Sequence, residues 1–470
     1  MNYSSRENTD KELTSLLELF SELKKEETTV FFDEYQIEML TQHFIESDRL
    51  DDSLFLLKHG LYLYPYSTLL KVLLSEVFML LGKDAKALGI LNDLENLESY
   101  NPEVYFMKGT IYSQMGEHEE AIKQLKKALK LSYEDKSELF FSIALEFQFM
   151  ENYHEAIRYL KKTIHEDPNH EEAIFELAFS FEELGMLEES AEFYLDYIDN
   201  NPYSEQAWFN YGYTCSKLDK HDEALRAYDY ACIIREDFLS AFINKANTLI
   251  LLEEYTKAID VYKEALELKP DDSHLNHLMG EAYENIDDLN TALSYYHKAK
   301  DLDPFNANAW VGIGLVKDLT GNTMEATHYF KKALDIDPFN PNFWYLYGEI
   351  LLKLGSLEEA FNSYDKVTEL DPENPNIWLD YSNALFQNNL ESEAIEVLHK
   401  GLDYNPNNAD LYYRLTAYFL QMGMDIDASS TFYDALKINY DAREKLFEYF
   451  PKSKKSSVLS EIMKNYISSN

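Results

Sequence analysis

A small residue returns every 34 positions along most of this chain, and few folds satisfy that constraint. With a unit counted from Pro341 to Asn374, Gly348 takes the eighth place. Stepping by the same interval, with one residue added in the third unit, puts Thr41, Ser75, Gly109, Ala144, Ala178, Gly212, Ala246, Gly280, Gly314, Ser382 and Thr416 there. The twentieth place, Ala360 in this unit, holds only Ala or Ser elsewhere, as in Ser53, Ala121, Ala258 and Ala428. Self-similarity at this period means stacked supersecondary units, each unable to bury its apolar face alone. Side chains stay small where two backbones cross closely.

Each unit reads as a helix, a tight turn and an antiparallel helix. The fifteenth place is Gly82, Gly116, Gly185, Gly321, Gly355 or Gly423, and otherwise Asp48, Glu151, Asp219, Glu253, Asp287 or Asn389. That choice predicts a left-handed residue ending the first helix. A proline, such as Pro168, Pro270 or Pro338, closes most second helices. Bulky residues fill the spaces between, with Leu, Tyr or Phe always at the twenty-fourth place and all four Trp (Trp208, Trp310, Trp344, Trp378) at the fourth. These rings read as core.

The expected organisation is one elongated all-α domain. Residues 1–33 hold an amphipathic capping helix, read from Leu13, Leu16, Leu17, Phe20 and Leu23 after an Asp10 N-cap. Residues 34–442 hold twelve repeats. Residues 443–470 hold C-terminal capping helices, with Val458, Leu459, Ile462, Met463, Tyr466 and Ile467 on one face.

In the order Trp, Leu, Gly, Tyr, Ala, Phe, Ala, Pro at those places, the sequence resembles the tetratricopeptide repeat (TPR) family. Lys71 and Asn276 depart from it in the Trp slot, Tyr197 and Leu94 in a small slot near the unit's end, and Glu236 where proline is usual. The resemblance implies a right-handed α-solenoid superhelix whose first helices line a concave groove. It also implies a protein–protein interaction scaffold that binds a peptide or protein partner there. The alternative is an obligate regulatory or structural subunit of a larger complex or enzyme assembly.

Charge narrows the partners. With 42 basic and 85 acidic residues the net charge is −43, which repels nucleic-acid phosphates and anionic lipid. The N-terminal stretch is not a signal peptide, no segment is apolar enough to span a membrane, and a cytoplasmic location is expected. Cys215 and Cys232 suit buried thiols better than a disulfide or metal framework. No catalytic constellation, cofactor motif or metal site is expected: the GxG at Gly312 and Gly314 lacks its third glycine.

Places two, five, nine and twelve of a first helix share one face, the one the resemblance implies is concave. On it Phe106, Phe141, Phe175 and Phe209 stand at successive fifth places, with Phe179 and Tyr213 at ninth places. They suggest an aromatic track for a partner, with Asn210, Asn244 and Asn247 just beyond it to hold a peptide backbone. The alternative is that these rings pack only against neighbouring helices. Further on, His274, His277, Glu281 and Glu284, then Asp318 and Glu349, suggest an acidic half-groove for a basic segment, a solvated surface being the plainer account. The Lys and Asn carboxylate clamp that some family members carry is not expected, since the groove lacks paired Lys and Arg.

Overall fold

The computed structural model describes residues 3–25, 30–133 and 136–469, and among them all regular structure is helical. First helices begin at Glu34, Thr68, Pro102, Ser137, Glu171, Glu205, Leu239, Ser273, Ala307, Pro341, Pro375 and Ala409. Each of these is the first place of its unit. Second helices begin at the seventeenth place, from Leu50 to Asp425. The result is a series of helix pairs, the two members packed together as in Pro102–Gln114 with His118–Leu131 and Ala307–Leu319 with Thr323–Ile336.

Local chemistry sets these bounds. The side chains of Ser67, Asn101, Ser204, Asp272, Asn306, Asn340, Asn374 and Asn408 accept backbone N–H groups at the start of the following helix. Pro102, Pro341 and Pro375 occupy first-turn positions, where the missing N–H costs nothing. All twelve fifteenth places have positive φ, from +54° at Asp48 to +82° at Gly321. Without that left-handed residue the second helix would not fold back on the first.

The small eighth place faces the second helix of its own pair. A Cβ on Gly280 would lie 2.5 Å from the Tyr296 ring, and one on Gly212 2.9 Å from Tyr228 and 3.2 Å from the Ala224 carbonyl. The fourth place pins the turn before it. Trp208, Trp310, Trp344 and Trp378 each donate an indole N–H to the carbonyl six residues back, that of Pro202, Pro304, Pro338 and Pro372, at 2.8–3.0 Å. Asn276, a departure from the family pattern, makes the same bond to Pro270 at 3.3 Å. Tyr105 does so to Ser99 at 3.1 Å. A different side chain thus preserves the same backbone tie.

Contacts divide the chain into two compact parts, Met1–Ala241 and Phe242–Asn470, the division falling inside the helix Leu239–Leu251. The continuous sequence pattern, read as one domain, gave no sign of it. In the first part the leading helix runs Tyr3–Lys24, so Asp10 is interior rather than an N-cap, as no Gly or Pro precedes it to delay the helix. Leu16 and Phe20 from this helix are buried with Phe32, Ile37 and Phe44. In the second part Glu444–Tyr449 and Ser457–Ser469 follow the last pair. Leu446 and Leu459 are buried there with Phe432 and Leu436, while Ile467 is exposed and the side chain of Val458 lies outside the described residues. No helix of the described residues is long and apolar enough to cross a membrane.

Candidate functional site

Within Phe242–Asn470, a cavity of about 670 Å³ opens between three successive first helices, Leu239–Leu251, Ser273–Glu284 and Ala307–Leu319. Its lining is partly apolar (Ile250, Leu251, Leu278, Val311, Leu315, Leu319) and partly polar (Asn247, His277, Glu281, Glu284, Asn285, Asn308). Tyr262 and Tyr296, from second helices, complete the lining. Residues at the fifth, ninth and twelfth places converge here because one helical face presents them all. Gly312 lets the Tyr296 ring pack closely against this helix, since a Cβ there would stand 2.5 Å from the ring.

His277 is only 6% exposed. Its Nε2 lies 3.2 Å from the Glu281 carboxylate, its ring tilts against Tyr296 at 5.6 Å, and its Nδ1 is shielded from solvent without a hydrogen-bond partner. Tyr296 donates its hydroxyl to Glu284 at 2.7 Å. Burial pushes the Glu284 carboxyl above its ordinary range, the Tyr296 hydrogen bond offsets part of that, and the neighbouring Glu281 charge adds to it. Tyr262 donates to Asn247. No lysine or arginine stands among the described lining residues, so the cavity carries acceptors and negative charge without a cation of its own. Among the described residues no group of three or more His, Cys, Asp or Glu is placed to hold a metal ion.

The helix pairs that build this cavity also match a known sequence family. Tetratricopeptide repeat profiles cover residues 102–135, 141–205, 193–226, 240–272, 273–306, 307–340, 329–361 and 353–419, together more than half of the chain. The chain belongs to the tetratricopeptide repeat family. Such a TPR array is a protein-interaction scaffold, whose partners are proteins or peptides. No curated protein matches the sequence. Solved structures similar to it include the APC/C hetero-tetramer Cut9-Hcn1, at 16% identity and TM-score 0.42, covering 79% of this chain and 88% of that one. TTC0263, a thermophilic TPR protein of Thermus thermophilus, is 25% identical with TM-score 0.36, covering 39% and 100%. YrrB, described as a TPR protein with an unusual peptide-binding site, is 22% identical with TM-score 0.31, covering 39% and 94%.

The TPR register places the other expected site residues unevenly. In the first part Phe175 and Phe179 stand out at 55% and 42% exposure. Phe106 and Phe141 are half-buried against the core, Phe141 with the His170 ring at 4.5 Å. Phe209 packs against Tyr228 and Phe238, at 5.9 and 5.2 Å. Tyr213 is held by the Glu182 carboxylate at 3.0 Å. Asn210 cannot present its amide to a peptide: it is buried, donates to the Ile174 carbonyl at 2.9 Å and accepts from Gln206 at 3.0 Å. The fifth-place rings are thus mostly packed, and two aromatic side chains remain on display. In the second part Asn247 lines the cavity and Asn244 is half-buried outside its lining.

The six groups of the expected acidic half-groove separate as well. His277, Glu281 and Glu284 meet at the cavity, while His274, Asp318 and Glu349 do not line it. Asp318 is already paired, accepting from Lys353 at 2.6 Å and Thr323 at 2.8 Å. Burial alone would raise its carboxyl, but these two bonds outweigh it and hold the group below the ordinary range. Glu349 takes the Tyr364 hydroxyl.

Sequence reasoning did not single out Gly312, Leu315, Leu319, Tyr262 and Tyr296 as site residues. One signal was available: Gly312 is the sole glycine at the sixth place, where other units carry Met, Leu, Ser, Glu, Asn, Asp or Arg.

Proposed function

We propose that this scaffold holds a partner protein by a short segment laid in the groove of its seventh to ninth helix pairs. Apolar side chains of the segment lie against Leu251, Leu315 and Leu319, and a basic one points toward Glu281 and Glu284. The observation that carries this reading is the cavity itself, mostly apolar with two carboxylates in its wall, in a chain whose net charge of −43 favours basic ligands.

Leu251 and Leu319 are exposed at 66% and 61%, so their replacement leaves the fold intact. A partner captured by the full chain is purified and titrated against wild type and a Leu251→Asp, Leu319→Asp variant. Affinity should fall at least about ten-fold, equivalent to about 1.4 kcal/mol, with the circular dichroism melt unchanged. Equal affinity overturns the reading.

Membership in a permanent complex is favoured by a separate observation. The turn residues Phe305 and Phe339, each just after a proline, are 79% and 78% exposed. Asp303 and Asp337 carboxylates accept their backbone N–H groups, which holds the turns that present the rings outward. Large apolar groups held in water in this way are suited to a standing contact. A stoichiometric companion that survives purification in high salt, and is lost from Phe305→Ser, Phe339→Ser, supports that arrangement.

A further inference from the structure

The wall of the cavity among the seventh to ninth pairs holds a pair of carboxylates beside His277. His277 Nε2 lies 3.2 Å from a Glu281 carboxylate oxygen. The His277 Nδ1 atom is closed off from solvent, so a ligand in the cavity meets the carboxylates rather than that nitrogen.

The carboxylates beside His277 are acceptors. Glu281 and Glu284 are three apart on one helix and therefore adjacent on its surface. Glu284 has one carboxylate partner, the Tyr296 hydroxyl, at 2.7 Å. The remaining described lining is apolar or amide, without a lysine or arginine. A ligand that completes this site brings positive charge, several N–H donors spread in a plane, and a slim apolar stem to pass Leu315 and Leu319. An arginine side chain has all three. Lysine offers a compact, strongly hydrated charge with donors radiating from one nitrogen, and cannot span two carboxylates as well.

We propose that the cavity is a receptor for one arginine side chain of the partner segment, its guanidinium shared by Glu281 and Glu284 beside His277 and its stem against Leu315 and Leu319. This rests on the groove reading above, and the test separates the two. A library of random nonapeptides is selected on the full wild-type chain and, in parallel, on the Leu251→Asp, Leu319→Asp and Glu281→Gln, Glu284→Gln variants. The best wild-type binder is then synthesised with its arginine intact or replaced by lysine or by citrulline, the uncharged isostere. Enrichment of arginine at one position is expected on wild type, with loss of that enrichment on the Gln variant. Affinity should drop about ten-fold or more for citrulline and several-fold for lysine. Peptides that are enriched without arginine, or that bind equally well with citrulline, overturn the arginine receptor while the groove reading stands. A wild-type selection indistinguishable from that on the Asp variant overturns both.

Discussion

Two glycines, each within a first helix, should respond to alanine with opposite signs. Gly312 lies in the helix Ala307–Leu319 and Gly348 in the helix Pro341–Lys353. Alanine at either gains about 1 kcal/mol of helix propensity. At Gly348 the new Cβ would meet nothing nearer than 3.4 Å, so the gain survives and that variant should be more stable by about 0.5–1 kcal/mol. At Gly312 the Cβ would fall 2.5–2.7 Å from three atoms of Tyr296. That ring cannot retreat, because Gly280 approaches it equally closely from another helix and its hydroxyl is tied to Glu284. Overpacking costs about 1–3 kcal/mol, and a distorted Tyr296–Glu284 bond about 1–3 more. After the propensity gain, a net loss of about 1–5 kcal/mol is expected. Because an array of repeats does not unfold in a single step, amide hydrogen exchange is the suitable assay. Exchange in Ser273–Glu284 and Ala307–Leu319 should quicken about ten-fold or more in Gly312→Ala and slow slightly around residue 348 in Gly348→Ala. Slower exchange in Gly312→Ala, or a larger loss in Gly348→Ala, would refute the packing argument.

Phe175→Ala with Phe179→Ala should change the local stability read by amide hydrogen exchange by less than about 1 kcal/mol, since both rings are about half exposed. Phe181→Ala in the same helix should cost about 3–5 kcal/mol, and equal losses would show the exposed rings to be packed. Asp318 and Glu284 should give opposite pH dependences in thermal melts from about pH 3 to about pH 8. The folded Asp318 carboxyl is held low, so its stabilisation is present at neutral pH and lost as pH falls through the folded value; Asp318→Asn should melt lower at pH 7 and converge on wild type in acid. The folded Glu284 carboxyl is held high, so ionising it costs stability as pH rises above the ordinary carboxylate range; Glu284→Gln should melt higher at neutral pH and converge in acid. The same slope in both variants would mean that neither environment is as described.

Sequence spacing revealed the backbone because a few positions permit only one conformation. Glu151 and Glu253 are poor residues for a left-handed turn, yet the register required one and both adopt it, at φ +57° and +58°. The register failed where the outcome depends on a side chain's choice among partners. Asp318 sits on the predicted face, but Lys353, one helix pair further on, reaches it and takes up its charge. Asn210, one residue past the expected track, turns inward to Ile174. The division inside Leu239–Leu251 left no mark in the sequence, where the 34-residue interval continues unbroken across it. The cavity was hard to foresee because the Tyr296 ring in its wall is seated against a glycine, Gly312, in a chain most of whose other glycines mark turns or helix crossings.

The indole bonds to turn carbonyls make intrinsic fluorescence a local reading of the chain. Each tryptophan is fastened to the turn that joins its own repeat to the one before, so its emission shifts when that junction opens to water. Of the four, only Trp208 belongs to Met1–Ala241, while Trp310, Trp344 and Trp378 belong to Phe242–Asn470. An emission-detected transition therefore describes mainly the second part, and nothing before the Pro202 turn contributes to it. Far-ultraviolet ellipticity counts helices from both parts alike. A gap between the two optical transitions would measure how far the parts unfold separately, without a label or a cut in the chain.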